Sequence, residues 1–529
     1  MIQRFSFGHP FPTQSVVLSL PAESGPVPFL TPDGTGWRFT LSEQAAVYGL
    51  GEMPRGINKR GWHYITNNTD ESRHSEDKLS FYGAHNFLLV RDGSTCFGLF
   101  VDFPGKVYYD IGYTRHDTLR FAAAESDYAL YLITAICKEF RTLIGRSYIP
   151  PKWAFGLAQS RWGYKTEEDV REVARQYKEH DLPLDMICMD IEYMQDYADF
   201  TVNKERFPDL TKLSADLKAQ GIRLVPIIDA GVRIDPNDPT CTEGLEKGYF
   251  CKKADGTPFV AAVWPGKAYF ADFLRPEVRE WFGHKYKALT DCGIEGFWND
   301  MNEPSLFYSP ERLRAFLNDM AALREKDNIE QEEFFPRVVG GAMGLMNSPA
   351  DYASFYHEVD GQKVRHDQVH NLYGGSMTRA AGEAFADLRP GQRTLLYSRS
   401  SFIGSHRYGG IWLGDNNSSW AQLLANIQMM PSVQMCGFLY SGADLCGFSS
   451  DTTPGPALAG VWPVHPADAQ PLRSWHPDAG ILPLPRGAAR CAQYDPSALR
   501  PAALPVQRIY ESCAGKHQLL PAVGLRLPG

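Results

Sequence analysis

Five carboxylates stand where apolar runs stop. Asp190 follows MICM, Asp229 follows VPII, Asp300 follows GFWN, Asp415 follows IWLG and Asp444 follows YSGA. One aspartate after a strand is most often a helix N-cap. Five in one pattern point instead to an acid-lined pocket that binds a polyol. GFWNDMNEP at 296–304 shows the contrast best, because Asn299, Asp300, Asn302 and Glu303 follow directly on a segment suited to burial. Tryptophans accompany the acids: Trp162, Trp264, Trp298, Trp412 and Trp420. Any one of them is most simply a core residue, but Trp298 and Trp412 directly precede carboxylate motifs and suit pocket walls that stack on sugar faces. Paired acids can cleave a glycosidic bond, one attacking or stabilising the anomeric carbon while a second, of raised pKa, protonates the leaving oxygen. The pattern alone does not choose the pair.

Such acids need a frame. From Tyr148 to about residue 454, short apolar strands alternate with charged amphipathic helices. WAFGLAQS precedes the helix TEEDVREVARQYKEH, whose Thr166 and Glu168 fit an N-cap and a first turn. LDMICMDI, IRLVPIID, IEGFWND, TLLYSRSS, GIWLGD and GFLYSGADL read as further strands. Repeated β-α units predict a parallel sheet, and their number favours a (β/α)8 TIM barrel, whose chemistry sits at the C-terminal strand ends. Residues 1–145 instead show short alternating runs such as SVVLSL, HNFLLV and CFGLFV, the pattern of an N-terminal antiparallel β-sandwich. The expected division is a sandwich over 1–145 and an α/β barrel over 146–454, with insertions at about 235–275 and 305–390.

The 529 residues, 43% hydrophobic and 12% aromatic, describe a multidomain globular protein. A net charge of -9 without a Lys/Arg block argues against nucleic acid as a partner. Ten scattered cysteines without paired spacing fit free thiols in a reducing cytosol. Neither a signal peptide nor an apolar stretch of about 18 residues is evident, so a cytoplasmic protein that does not span a membrane is expected. No phosphate loop and no metal-type Cys/His cluster appears, and neither cofactor nor metal is expected.

GFWNDMNEP, HNLYG at 370–374, RSSFIGSHRYGGIWLGDN at 399–416 and GADLCGF at 442–448 resemble the α-glucosidases of glycoside hydrolase family 31. The resemblance runs from the sandwich to about Pro454. It implies Asp300 as nucleophile and Asp415 as acid/base of a retaining double displacement on short α-glucosides, without cofactor. Asp190, Arg399, Trp264 and Trp298 match family residues that contact the sugar in the first subsite. Arg399 would help keep the nucleophile ionised, and Glu303 would orient its neighbours. Glu192 stands where aspartate is commoner. Asp70, in the sandwich loop NNTDESRHSED, matches a loop that reaches the pocket in relatives, although a solvated turn is the simpler reading of it. His370, which opens HNLYG, reads as structural. Trp162 is expected to shape the leaving-group side and to influence the choice between α-1,4 and α-1,6 linkages. A glucan lyase using the same acids is the alternative within enzymes, and self-association into a homo-oligomer stays open.

After Pro454 the composition changes. The last 75 residues hold 12 of the 37 prolines and none of the 30 phenylalanines, which by itself suits a disordered tail. Codons read one base later give a sharper account. The segment 469–484 then admits RNHSA-x-GTRMQEFYRF, a stretch that the family resemblance leads one to expect, and 498–514 admits RYALLPYLYSEFMKAAL. The sequence therefore reads as frameshifted from about Gly455. The expected consequence is a chain without a final barrel strand, poorly soluble and inactive as written, and a fragment of an α-glucosidase is the alternative reading of function.

Overall fold

The computed structural model describes residues 1–134, 136–417, 419–444 and 448. The proposed out-of-frame tail, 455–529, lies outside them. Alternating side chains in the first part build two five-stranded antiparallel sheets. One runs Ile2–Phe7, Tyr128–Ile133, Thr95–Asp102, Phe87–Asp92 and Ala46–Gly49; the other runs Thr31–Asp33, Gly36–Thr40, Thr118–Ala123, Val107–Ile111 and Trp62–Thr66. Their inward faces share one core, with Val47, Leu88, Val90 and Leu99 against Tyr109, Ile111, Leu119 and Phe121. The expected sandwich is thus present, with one local difference. SVVLSL is no strand: the Val17 amide bonds the Leu143 carbonyl at 2.8 Å, and Val16, Leu18 and Leu20 cover a cluster shared with the barrel. Alternation was preserved there by packing against that cluster, not by a ladder.

The second part forms a seven-stranded parallel sheet in chain order: β1 (Ala158–Arg161), β2 (Met186–Met189), β3 (Arg223–Asp229), β4 (Gly296–Asp300), β5 (Leu395–Ser398), β6 (Gly410–Trp412) and β7 (Ser441–Gly442). Every residue of β2, β4, β5, β6 and β7 is buried, as expected for strands covered on both faces. The sheet is the TIM barrel wall. No ladder joins β7 to β1 among the described residues, but the Tyr440 hydroxyl, just before β7, donates to the Ala154 carbonyl near β1 at 2.8 Å.

Local chemistry fixes the outer helices. Thr166 caps Glu167–Glu179 in a capping box with Asp169, and Asp209 caps Leu210–Ala219. Pro276–Lys285 and Tyr373–Leu388 pack closely: a Cβ on Gly283 would lie 2.2 Å from the Ala380 carbonyl oxygen. Tyr373–Leu388 therefore serves as a barrel helix although it falls in the stretch 305–390 expected as an insertion. The remainder of that stretch carries the helix Pro310–Arg324 and the hairpin Phe355–Val359/Gln362–Arg365. Between β3 and β4, Gly231–Arg233, Gly266–Phe270 and Val260–Val263 form a small antiparallel sheet.

Sandwich and barrel are joined through hydrogen bonds and a common core. Gly83–Ala84 of the sandwich pairs in parallel with Ser401–Phe402, just after β5. Phe81, Tyr82, Phe87 and Phe100 bury against Ile403, Ile411, Leu413 and Met429. This junction lies at the C-terminal end of the barrel strands.

Candidate active site

The carboxylates converge on one arginine. β4 ends at Asp300, and Arg399 lies just past the end of neighbouring β5. Arg399 Nε lies 2.9 Å from Asp300 Oδ1. The same guanidinium donates to both oxygens of Glu303, Nε to Oε1 at 3.0 Å and Nη2 to Oε2 at 2.9 Å. Asp70 Oδ1 lies 3.8 Å from Arg399 Nη2. The Tyr82 ring covers the guanidinium at 4.8 Å, a cation–π contact that costs no hydrogen-bond donor. Arg399 and Glu303 are fully enclosed, and Asp300 is 8% exposed.

One cation faces three acids, so charge is finely balanced. Burial raises the Asp300 carboxyl above the ordinary aspartate range, opposed by Arg399 and by the Met301 amide, which donates to Oδ1 at 2.7 Å. Arg399 thus favours the anion as expected, but burial outweighs it. Burial likewise lifts Glu303 to about 7 against the pull of Arg399. Asp190, after β2, accepts from the Ile191 amide at 2.8 Å and is pushed well up, first by burial and then by Glu192. Asp229 ends β3 opposite Asp300 in the ladder. Burial and Asp199 push it well up, and neither oxygen finds a donor among the described residues. A pocket that leaves an enclosed carboxyl without a protein donor is suited to hydroxyl groups from a ligand.

Asp415 follows β6 and is half-buried. Its charge acts on Tyr82, whose hydroxyl pKa is raised first by burial and then by Asp415. Gly414 makes that approach possible. Its φ is +77°, and a Cβ there would meet the Tyr82 ring at 2.1 Å. Asp444, the acid after β7, accepts from Trp412 Nε1 at 2.6 Å.

Aromatic walls surround the acids. Trp298 donates from Nε1 to the Met189 carbonyl at 3.3 Å and stands edge-on to Trp412 at 5.3 Å. Trp162 and Trp264 pair at 5.3 Å, and Trp264, 37% exposed, also meets Phe307 at 5.1 Å. Trp420 is 60% exposed at the start of the helix Trp420–Met435. Asp70 is no solvated turn: Oδ2 accepts from Ser305 Oγ at 2.6 Å. Tyr82, Ser305 and Asn347 were not singled out by sequence, since SFYGAHNF, PSLF and MNSPAD carry no chemical pattern of their own. A separate cavity of about 390 Å³ lies between Phe11–Gln14, Arg275–Arg279 and Ile403–Tyr408, and none of these acids lines it.

A TIM barrel roofed by a β-sandwich, with carboxylates around one buried guanidinium at its strand ends, defines the class. Residues 147–462 match the Glycosyl hydrolases family 31 TIM-barrel domain, and residues 23–110 match the Glycosyl hydrolase 31 N-terminal galactose mutarotase-like domain. The chain belongs to glycosyl hydrolase family 31. It is 36% identical over 419 residues to Alpha-glucosidase 2 of Bacillus thermoamyloliquefaciens, covering 78% of this chain and 48% of that protein. It is 28% identical over 415 residues to an alpha-glucosidase of Saccharolobus solfataricus, covering 77% and 57%. The solved glucosidase II alpha subunit with Glc1Man2 bound superposes with a TM-score of 0.73 at 25% identity, over 91% of this chain and 52% of that one. The chain thus spans about half the length of the curated relatives it matches. No helix among the described residues is long and apolar enough to cross a membrane.

Proposed function

We propose that this site is that of a retaining α-glucosidase acting at the non-reducing end of short α-glucosides. The observation that carries the reading is Asp300, enclosed at a barrel strand end and held by Arg399 at 2.9 Å. Ionised Asp300 attacks the anomeric carbon while protonated Asp415 gives its proton to the departing oxygen; water activated by Asp415 then releases α-glucose. This chemistry needs the two carboxyl groups about 5–5.5 Å apart. Arg399 and Glu303 lock Asp300 in place, Asp190 and Asp229 accept from sugar hydroxyls, and Trp298 and Trp264 wall the first subsite. The relatives' printed names, alpha-glucosidases and glucosidase II, support glucose as the sugar.

A second reading is that the 529-residue chain is an inactive product of an interrupted frame, favoured by the proline-rich, phenylalanine-free stretch from 455. One assay separates the two: glucose released from maltose and isomaltose by the full chain beside Asp300→Asn. Release that disappears in the variant supports the enzyme. A folded chain that releases nothing supports the second reading.

A further inference from the structure

Four buried residues outside the acid cluster form a continuous line. Asp272 Oδ1 lies 2.6 Å from His357 Nδ1, His357 Nε2 lies 2.9 Å from His366 Nδ1, and His366 Nε2 lies 2.8 Å from His370 Nδ1. The line ends with His370 Nε2 at 2.8 Å from the Asn68 carbonyl oxygen. Each of the four side chains is at most 4% exposed.

Counting hydrogens fixes its direction. The Asn68 carbonyl can only accept, so His370 carries its hydrogen on Nε2 and presents a bare Nδ1. His366 must then donate from Nε2 and His357 from its own Nε2. If all three rings are neutral, His357 Nδ1 faces Asp272 Oδ1 with a lone pair. An ionised carboxylate there would place two acceptors 2.6 Å apart, so this junction holds one more proton. Burial keeps the two inner rings neutral: His366 is pushed well below the ordinary histidine range and His370 to about 4. The extra proton therefore belongs to the Asp272–His357 end. Cys251 Sγ lies 3.6 Å from the same Nδ1, and Cys251, Asp272 and His357 together could ligate a metal ion. The spacing argues otherwise, since tetrahedral zinc with bonds of about 2.0–2.2 Å would hold its N and O ligands roughly 3.3 Å apart.

We propose that Asp272, His357, His366 and His370 form a one-way hydrogen-bond chain, holding one proton more than three neutral imidazoles, that positions the sandwich loop carrying Asp70. The geometry gives the chain a place to act. Asn68 lies two residues before Asp70, its Nδ2 donates to Ser400 Oγ at 2.6 Å, and Ser400 is next to Arg399. At the other end Asp272 Oδ2 accepts from the Glu358 amide at 2.8 Å, anchoring the line in the insertion hairpin. These are positioning residues, acting on the site through Asn68. Only the importance given to Asp70 rests on the glucosidase reading; the line itself is tested without turnover.

The test is imidazole ¹⁵N NMR on the full chain, with His366→Gln and His370→Gln to assign signals. His366 and His370 should both be neutral with hydrogen on Nε2. Hydrogen on Nδ1 of either ring would overturn the direction. Amide exchange at 67–70 provides the second readout. Asp272→Asn supplies a permanent donor to His357 and an acceptor to Glu358, so exchange should stay within about twofold of the parent. Asp272→Leu supplies neither and should raise it about tenfold or more, the worth of roughly one buried hydrogen bond. Equal exchange in the two variants would overturn the proposal, as would zinc binding at one per chain that shifts the His357 signals.

Discussion

At the residue scale the decisive group is Arg399, a buried cation that contacts Asp300, Glu303 and Asp70. Removing it leaves carboxylates enclosed without a counter-charge. Arg399→Met should lower stability by roughly 3–5 kcal/mol, read by urea unfolding at neutral pH. It should also shift the pH profile. In the proposed mechanism Asp300 attacks as the anion; burial already raises its pKa, and Arg399 opposes that rise. The acidic limb of kcat/KM should therefore lie above the ordinary aspartate range, with activity falling as pH falls through it. In Arg399→Met that limb should move up by about 1–3 pH units; a limb that stays put would remove Arg399 from control of the nucleophile. Asp300, Glu303 and Arg399 were all legible in sequence because strand-end acids and the family-like motifs marked them. The surroundings of Arg399 were not, because Tyr82 and Asp70, which meet its guanidinium, arrive from the sandwich.

At the element scale, the loop after β6 depends on Gly414. Gly414→Ala places a Cβ where the Tyr82 ring now lies and in a backbone region unfavourable to alanine. Asp415, the proposed acid/base, follows directly, so the substitution should cost roughly a hundredfold in kcat, the scale of an ångström misplacement. Steady-state kinetics with circular dichroism as a fold control would check this; unchanged kcat would separate Tyr82 from the Asp415 loop. A second element, the sandwich segment at Gly83–Ala84 and its neighbour His85, must stay neutral inside the junction. Burial pushes His85 down to about 3. The unfolded chain takes up a proton below about pH 6.5 that the folded chain refuses, so His85 contributes its full stability above that pH and loses it as pH falls towards 3. Between pH 7.5 and pH 5 the parent should lose about 2 kcal/mol through this group. Urea titrations of parent and His85→Gln should converge by that amount, and parallel profiles would contradict it. Strands and capped helices were readable here from runs such as MICM and from Thr166 before its acidic first turn. SVVLSL was misread because alternation reports one-sided burial, and a loop packed on the inter-domain cluster satisfies it as well as a strand does.

At the scale of the whole molecule, the sandwich and barrel share the cluster that includes Phe87, Phe100, Ile411 and Met429. Calorimetry should give one cooperative unfolding transition for residues of both parts, and two separate transitions would show that the shared core contributes little. The proposed cooperation of Asp300 and Asp415 sets which anomer leaves first. It is tested most directly by following, with proton NMR, which anomer the chain first releases from an α-glucoside. A retaining double displacement gives α-glucose before mutarotation, with release lost in Asp300→Asn; β-glucose appearing first would overturn that mechanism.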